Sequence, residues 1–151
     1  MKKIFYINWL ILLLASIYFI SQFLRASLGI ITTDLVSEFN LNQEQLGRLG
    51  GVFFLAFAVA QIPIGIFLDT FNPIKVIISL LLVIFIGTLF IVFSFNYEML
   101  MLGRAFQGVG CGVCLMGPLV LLTRFAPEKK FSEYSGYVMG LGGLVDKYLE
   151  L

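Results

Sequence analysis

The chain has 151 residues, 60% of them hydrophobic, and a mean hydropathy of +0.99. A soluble domain of this size cannot hide that much apolar surface, so lipid must be its solvent. The net charge of +1 creates no global field for nucleic acid or a strongly acidic partner.

Four runs carry no charge: residues 4–24, 49–68, 76–97 and 105–123. A hydrocarbon core about 30 Å thick takes about 20 apolar helical residues to cross, so each run can span it. Backbone polar groups in lipid need internal partners, which leaves helices or closed barrels. Barrel strands alternate polar and apolar residues, and these runs do not. The expected fold is an all-α membrane protein with four complete transmembrane helices, at about 7–32, 44–68, 74–95 and 99–122. A truncated fifth covers about 132–145, and the tail at 145–151 does not continue it. Residues 32–42 read as a polar connection, with Asn42 placed to cap the second helix. Pro63 is expected to kink that helix.

Charge placement orients the spans. Lys2 and Lys3 precede the first, Lys75 lies in the second connection, and Arg124, Lys129 and Lys130 lie in the fourth. The first connection is acidic on balance, with Asp34, Glu38 and Glu44 against Arg48. The positive-inside rule then puts the N-terminus in the cytoplasm. The start of the chain also resembles a secretory signal, but its apolar stretch is too long and no A-x-A-like site closes it. The expected location is a cell membrane, bacterial and inner, crossed several times.

Intramembrane charges mark function more often than packing. Arg25 sits inside the first apolar helix; it either faces a cavity or partner, or pairs with Asp34 or reaches outward. Arg104 lies one turn into the fourth helix, on the same face as Gln107. It lines a polar stripe or sits at the interface. The glycines at 47, 50 and 51, at 108, 110 and 112, and at 136 and 140 read as helix-packing positions. Cys111 and Cys114 form C-x-x-C, but they lie in an apolar helix of a chain without histidine. They read as small packing residues, with no metal and no cofactor. No pair of acids and no nucleophile with a base is visible in the membrane, so no enzyme is expected.

Two motifs resemble a known family. Gly65-Ile-Phe-Leu-Asp69, followed by Lys75, resembles the loop 2–3 signature of the major facilitator superfamily. Arg104-Ala-Phe-Gln107-Gly108-Val-Gly110 resembles its helix 4 signature, R-x-x-Q-G-x-G. Gln45-Leu-Gly-Arg-Leu-Gly50 and Gln61-Ile-Pro-Ile-Gly65 are similar to many members, and the resemblance covers about residues 7–144. Thr70 and Asn72 stand where the loop signature has a basic residue and a glycine, which weakens the lock that this loop forms in the family. The resemblance implies the first helices of a fold with two six-helix halves around a central site. It also implies that Arg25 contacts an anionic substrate, and that Gly65, Asp69, Lys75, Arg104, Gln107, Gly108 and Gly110 serve gating and conformational change. The expected function is secondary active transport of a small solute, in a full-length form that includes the missing C-terminal half. The chain alone is expected to be inactive or to self-associate. The alternatives are a small membrane subunit or assembly factor that does not transport, and a small four-helix multidrug exporter. The exporter class relies on an acid within its first helix, and none precedes Asp34 here.

Overall fold

The computed structural model describes residues 2–142. Every regular element in that range is helical: α1 (Lys2–Phe39), α2 (Gln43–Thr70), α3 (Pro73–Val92), α4 (Tyr97–Cys111), α5 (Val113–Phe125) and α6 (Phe131–Gly142), with a 3-10 turn at Glu128–Lys130. Four stretches are long and apolar enough to cross a bilayer: Ile7–Phe39, Gln43–Thr70, Pro73–Val92 and Tyr97–Phe125. The all-α membrane architecture with four complete spans is therefore present. The expected end of the fifth helix at Val145, and the tail at 145–151, lie outside the described residues.

Asparagines start three of these helices. Asn42 accepts from the Gln45 amide at 2.8 Å, and the Gln45 side chain accepts from the Asn42 amide at 2.9 Å, closing a capping box. Asn72 accepts from the Ile74 amide, with Pro73 at the first helical position. Asn96 accepts from the Met99 amide, so α4 starts at Tyr97 rather than near Met99.

Three boundaries differ from expectation. α1 continues past Thr32 to Phe39, leaving a connection of only three residues. The polar residues there do not break the helix, because they bond within it: Thr32 Oγ1 donates to the Leu28 carbonyl at 2.6 Å, and Ser37 Oγ to the Asp34 carbonyl at 2.8 Å. Burial decides the rest, since Leu35 joins a cluster with Leu41, Leu49 and Leu100. The helix stops where Asn40 takes a left-handed conformation, φ 49°. α3 ends at Val92 rather than near Phe95, with the Phe93 amide donating back to the Leu89 carbonyl. The fourth span breaks at Gly112, whose amide bonds the Val109 carbonyl three residues back, and resumes as α5 through Phe125. α2, by contrast, runs unbroken through Pro63.

The chain folds into two compact units. Among the described residues, one comprises 2–26 and 114–142; the other is Ser27–Val113. Within the second, α4 packs on both α2 and α3. The Tyr97 hydroxyl donates to the Gln45 carbonyl at 3.1 Å and ties the start of α4 to the start of α2. α2 and α3 make little contact with each other, so α4 is central to this unit. Lipid supplies no hydrophobic drive between helices, so packing and hydrogen bonds hold them.

Candidate functional site

The α4 face is built from small residues. A Cβ added at Gly103 would lie 2.6 Å from Ile91 Cγ1 and 2.8 Å from the Gly87 carbonyl oxygen. One at Gly87 would lie 2.8 Å from the Gly103 carbonyl oxygen and 2.9 Å from the Gln107 nitrogen. The two backbones touch, and no larger residue fits either position without separating α3 from α4. On the next turns, Gly110 abuts Leu80 and Ile84 of α3, while Gly108 abuts Phe53 and Ala56 of α2. α4 is thus wedged between its neighbours by backbone contact on both sides.

That close approach buries a polar chain. Arg104 is 2% exposed and Gln107 3%. Arg104 Nη1 donates to Gln107 Oε1 at 3.3 Å, Gln107 Nε2 donates to Thr88 Oγ1 at 3.0 Å, and Thr88 Oγ1 donates to the Ile84 carbonyl at 3.0 Å. The guanidinium also lies over the Phe53 ring, 5.9 Å from its centroid, within cation–π range. Arg104 therefore faces the bundle interior, not the interface. The chain links α4 to α3 and holds the guanidinium against α2. Gln61, on α2, carries a buried Oε1 with no hydrogen-bond partner among the described residues.

Arg25 belongs to the other unit. The inward face of α1 reads Ile11, Leu14, Ala15, the half-buried Tyr18, Ser21 and Gln22, in steps of three or four residues with Ile17 buried beside it, and the exposed face carries Trp9, Leu12, Leu13, Phe19, Ile20 and Phe23. Arg25 follows Ser21 by four residues and Gln22 by three, so all three share the inward face. Ser21 is 1% exposed, Gln22 is buried and Arg25 half-buried. An arginine flanked by an amide and a hydroxyl offers a planar donor fork and two neutral hydrogen-bonding groups to an anion.

The loop-signature residues are placed differently. Gly65 has open space beside it, Asp69 is exposed in the last turn of α2, and Lys75 is exposed in the first turn of α3. Asp69 and Lys75 form no ion pair with one another. A Cβ at Gly47, Gly51, Gly136 or Gly140 would meet nothing among the described residues, and one at Gly50 would make only ordinary contact with Leu28. Glycine content did not separate the two groups; the difference lies in which face meets another backbone. Thr88, Gly87, Ser21 and Gln22 escaped the sequence reading. For Ser21 and Gln22 a signal existed in their helical spacing from Arg25. Cys111 and Cys114 are buried, unbridged thiols, and no cluster of metal-ligating residues occurs among the described residues.

Four long apolar spans, with Gln22 buried in one unit and Arg104 and Gln107 buried in the other, define a multi-pass α-helical membrane protein. A family model for the Major Facilitator Superfamily matches residues 14–145. The chain belongs to the major facilitator superfamily. It is 25% identical over 151 residues to a 4-hydroxybenzoate transporter from Acinetobacter baylyi, covering 94% of this chain and 33% of that protein. It is 31% identical over 83 residues to an efflux pump from Ustilaginoidea virens, covering 55% and 16% respectively. It is 35% identical over 94 residues to an uncharacterized transporter from Buchnera aphidicola, covering 58% and 24%. The chain spans a third or less of the length of these relatives. No solved structure matches.

Proposed function

We propose that this chain is part of a secondary active transporter for a small organic anion, and that Arg25 meets the anion. The observation that carries the reading is the polar patch Ser21, Gln22 and Arg25 on the inward face of α1, following the apolar Ile11, Leu14 and Ala15 on that face. A charge so placed is costly in a bilayer unless it has a task or a partner. One relative is named for 4-hydroxybenzoate, a carboxylate, in keeping with a guanidinium in this role.

The other motif residues support movement rather than binding in this reading. Arg104, Gln107, Gly108 and Gly110 hold α4 against α2 and α3 as one block, and Gly65 and Asp69 mark the short α2–α3 connection at which the block engages the rest of the transporter, with Lys75 following in α3. Lysines 2, 75 and 129 face the cytoplasm, across a bacterial inner membrane. Transport in this superfamily occurs between two six-helix halves. The 151 residues by themselves carry part of one half, and in this reading they do not transport alone.

The test is a chimera in which residues 1–142 replace the matching third of the Acinetobacter baylyi transporter. Arg25→Lys keeps the charge and loses the fork. Uptake of 4-hydroxybenzoate should fall at least ten-fold, with the amount of chimera in the membrane unchanged. Uptake kinetics equal to the parent chimera would remove Arg25 from the binding role. A superfamily member is not a small four-helix exporter, and nothing in the structure favours a subunit that does not transport.

A further inference from the structure

A groove of about 460 Å³ opens between the last turn of α2 and the first two turns of α3, lined by Phe67, Phe71, Asn72, Lys75, Val76, Ser79 and Leu80. Its walls are apolar: the Phe67 and Phe71 rings lie 6.0 Å apart on one side, with Val76 and Leu80 on the other. Its polar groups are all donors or can donate. They are the Lys75 ammonium, the Asn72 side-chain amide, whose oxygen already caps Ile74, and the Ser79 hydroxyl. No carboxylate lines it, and Asp69 lies outside the lining. Lys75 has no ion-pair partner among the described residues.

The surroundings identify the kind of occupant. Ile62, Ile66, Ile74, Ile78 and Leu82, on the same two helices, are exposed. On a membrane-spanning chain these residues meet acyl chains. Lys75 stands in the first turn of its span, at the depth of the lipid headgroups. A groove with apolar walls, a single positive charge and no carboxylate complements a lipid with a phosphate and net negative charge. We propose that the α2–α3 groove binds an anionic phospholipid, with its headgroup phosphate on Lys75 and Asn72 and an acyl chain along Phe67, Val76 and Leu80. The proposal needs only that the chain spans a membrane; it does not depend on the transported solute.

The natural tryptophan, Trp9, lies on α1. In a Trp9→Phe background, Phe71→Trp puts a single indole in the groove wall. The whole 151-residue chain is reconstituted in vesicles in which phosphatidylglycerol or phosphatidylcholine carries brominated acyl chains, and indole quenching gives the relative affinity of the two lipids. The expected preference for phosphatidylglycerol is about five-fold, the discrimination of one basic side chain near charged lipid. Lys75→Gln should bring it close to one, whereas Lys75→Arg and the pair Lys129→Gln with Lys130→Gln should leave it intact. Lys75 is exposed, so its replacement does not threaten folding. Equal quenching by the two lipids, or a preference that survives Lys75→Gln, overturns the proposal.

Discussion

Gln107 Nε2 donates to Thr88 Oγ1 at 3.0 Å and thereby joins α4 to α3 through a side chain that no motif contains. The amide has its oxygen on Arg104 and its nitrogen on Thr88, so a single residue both orients the buried guanidinium and ties it to a second helix. Gly87 and Gly103 make that reach possible, because their backbones touch one turn away.

Removing the Thr88 hydroxyl should therefore loosen the α3–α4 pair. Thr88→Val keeps the shape and leaves the Gln107 amide without its acceptor. Interhelical hydrogen bonds in membrane proteins average about 0.6 kcal/mol, up to about 1.7. We expect a cost of about 1 kcal/mol in unfolding by increasing sodium dodecyl sulfate. The double-mutant cycle of Thr88→Val with Gln107→Leu should give a coupling of about 0.6 kcal/mol. Additive effects would show that the bond contributes nothing.

The glycines should divide into two groups under substitution. Gly103→Val and Gly87→Val force a side chain into the facing backbone and should cost about 1–3 kcal/mol or prevent α3–α4 packing. Gly136→Ala and Gly47→Ala meet nothing and should be neutral or slightly stabilising, since alanine is the better helix former by about 1 kcal/mol. Helical content and resistance to proteolysis in micelles read out both groups. A Gly103→Val variant as protease-resistant as the parent would contradict the close approach.

Topology can be checked by labelling. Cys111 and Cys114 are replaced by alanine, and single cysteines are placed at Lys2, Ser37, Lys75, Asn96 and Lys129. Ser37, Lys75 and Asn96 are exposed in the fold, so their reactivity reports sidedness rather than burial. Charge placement predicts that a membrane-impermeant maleimide labels positions 37 and 96 from outside, and positions 2, 75 and 129 only after permeabilisation. Strong outside labelling at 75 would invert the orientation.

The 151-residue chain alone, reconstituted in vesicles, should show no saturable uptake of 4-hydroxybenzoate above empty vesicles, because a site between two halves needs both. It should also migrate as more than one species on size exclusion in mild detergent, as inward polar faces find partners in other copies. Saturable uptake lost on Arg25→Lys would instead mean that an assembly of short chains transports.

Much of this protein is written locally. Charge-free runs of membrane-crossing length specify four spans, because lipid demands internally bonded backbone and sets the length. The Asn42 cap and the shared face of Arg104 and Gln107 follow from spacing along one helix. Contacts between residues distant in the chain decided the rest. Thr32 to Phe39 looked like a loop, and became helix because Leu35 packs on Leu49 and Leu100. Eight glycines looked alike as packing positions, yet among the described residues only Gly108 and Gly110 of these meet the backbone of another helix, and Gly87 and Gly103, which the pattern did not single out, do so as well. Thr88 acquired its role from a helix crossing at Gly87 and Gly103, nineteen positions before the glutamine it holds. A one-dimensional pattern records which face a residue occupies; only the packed bundle determines what that face meets.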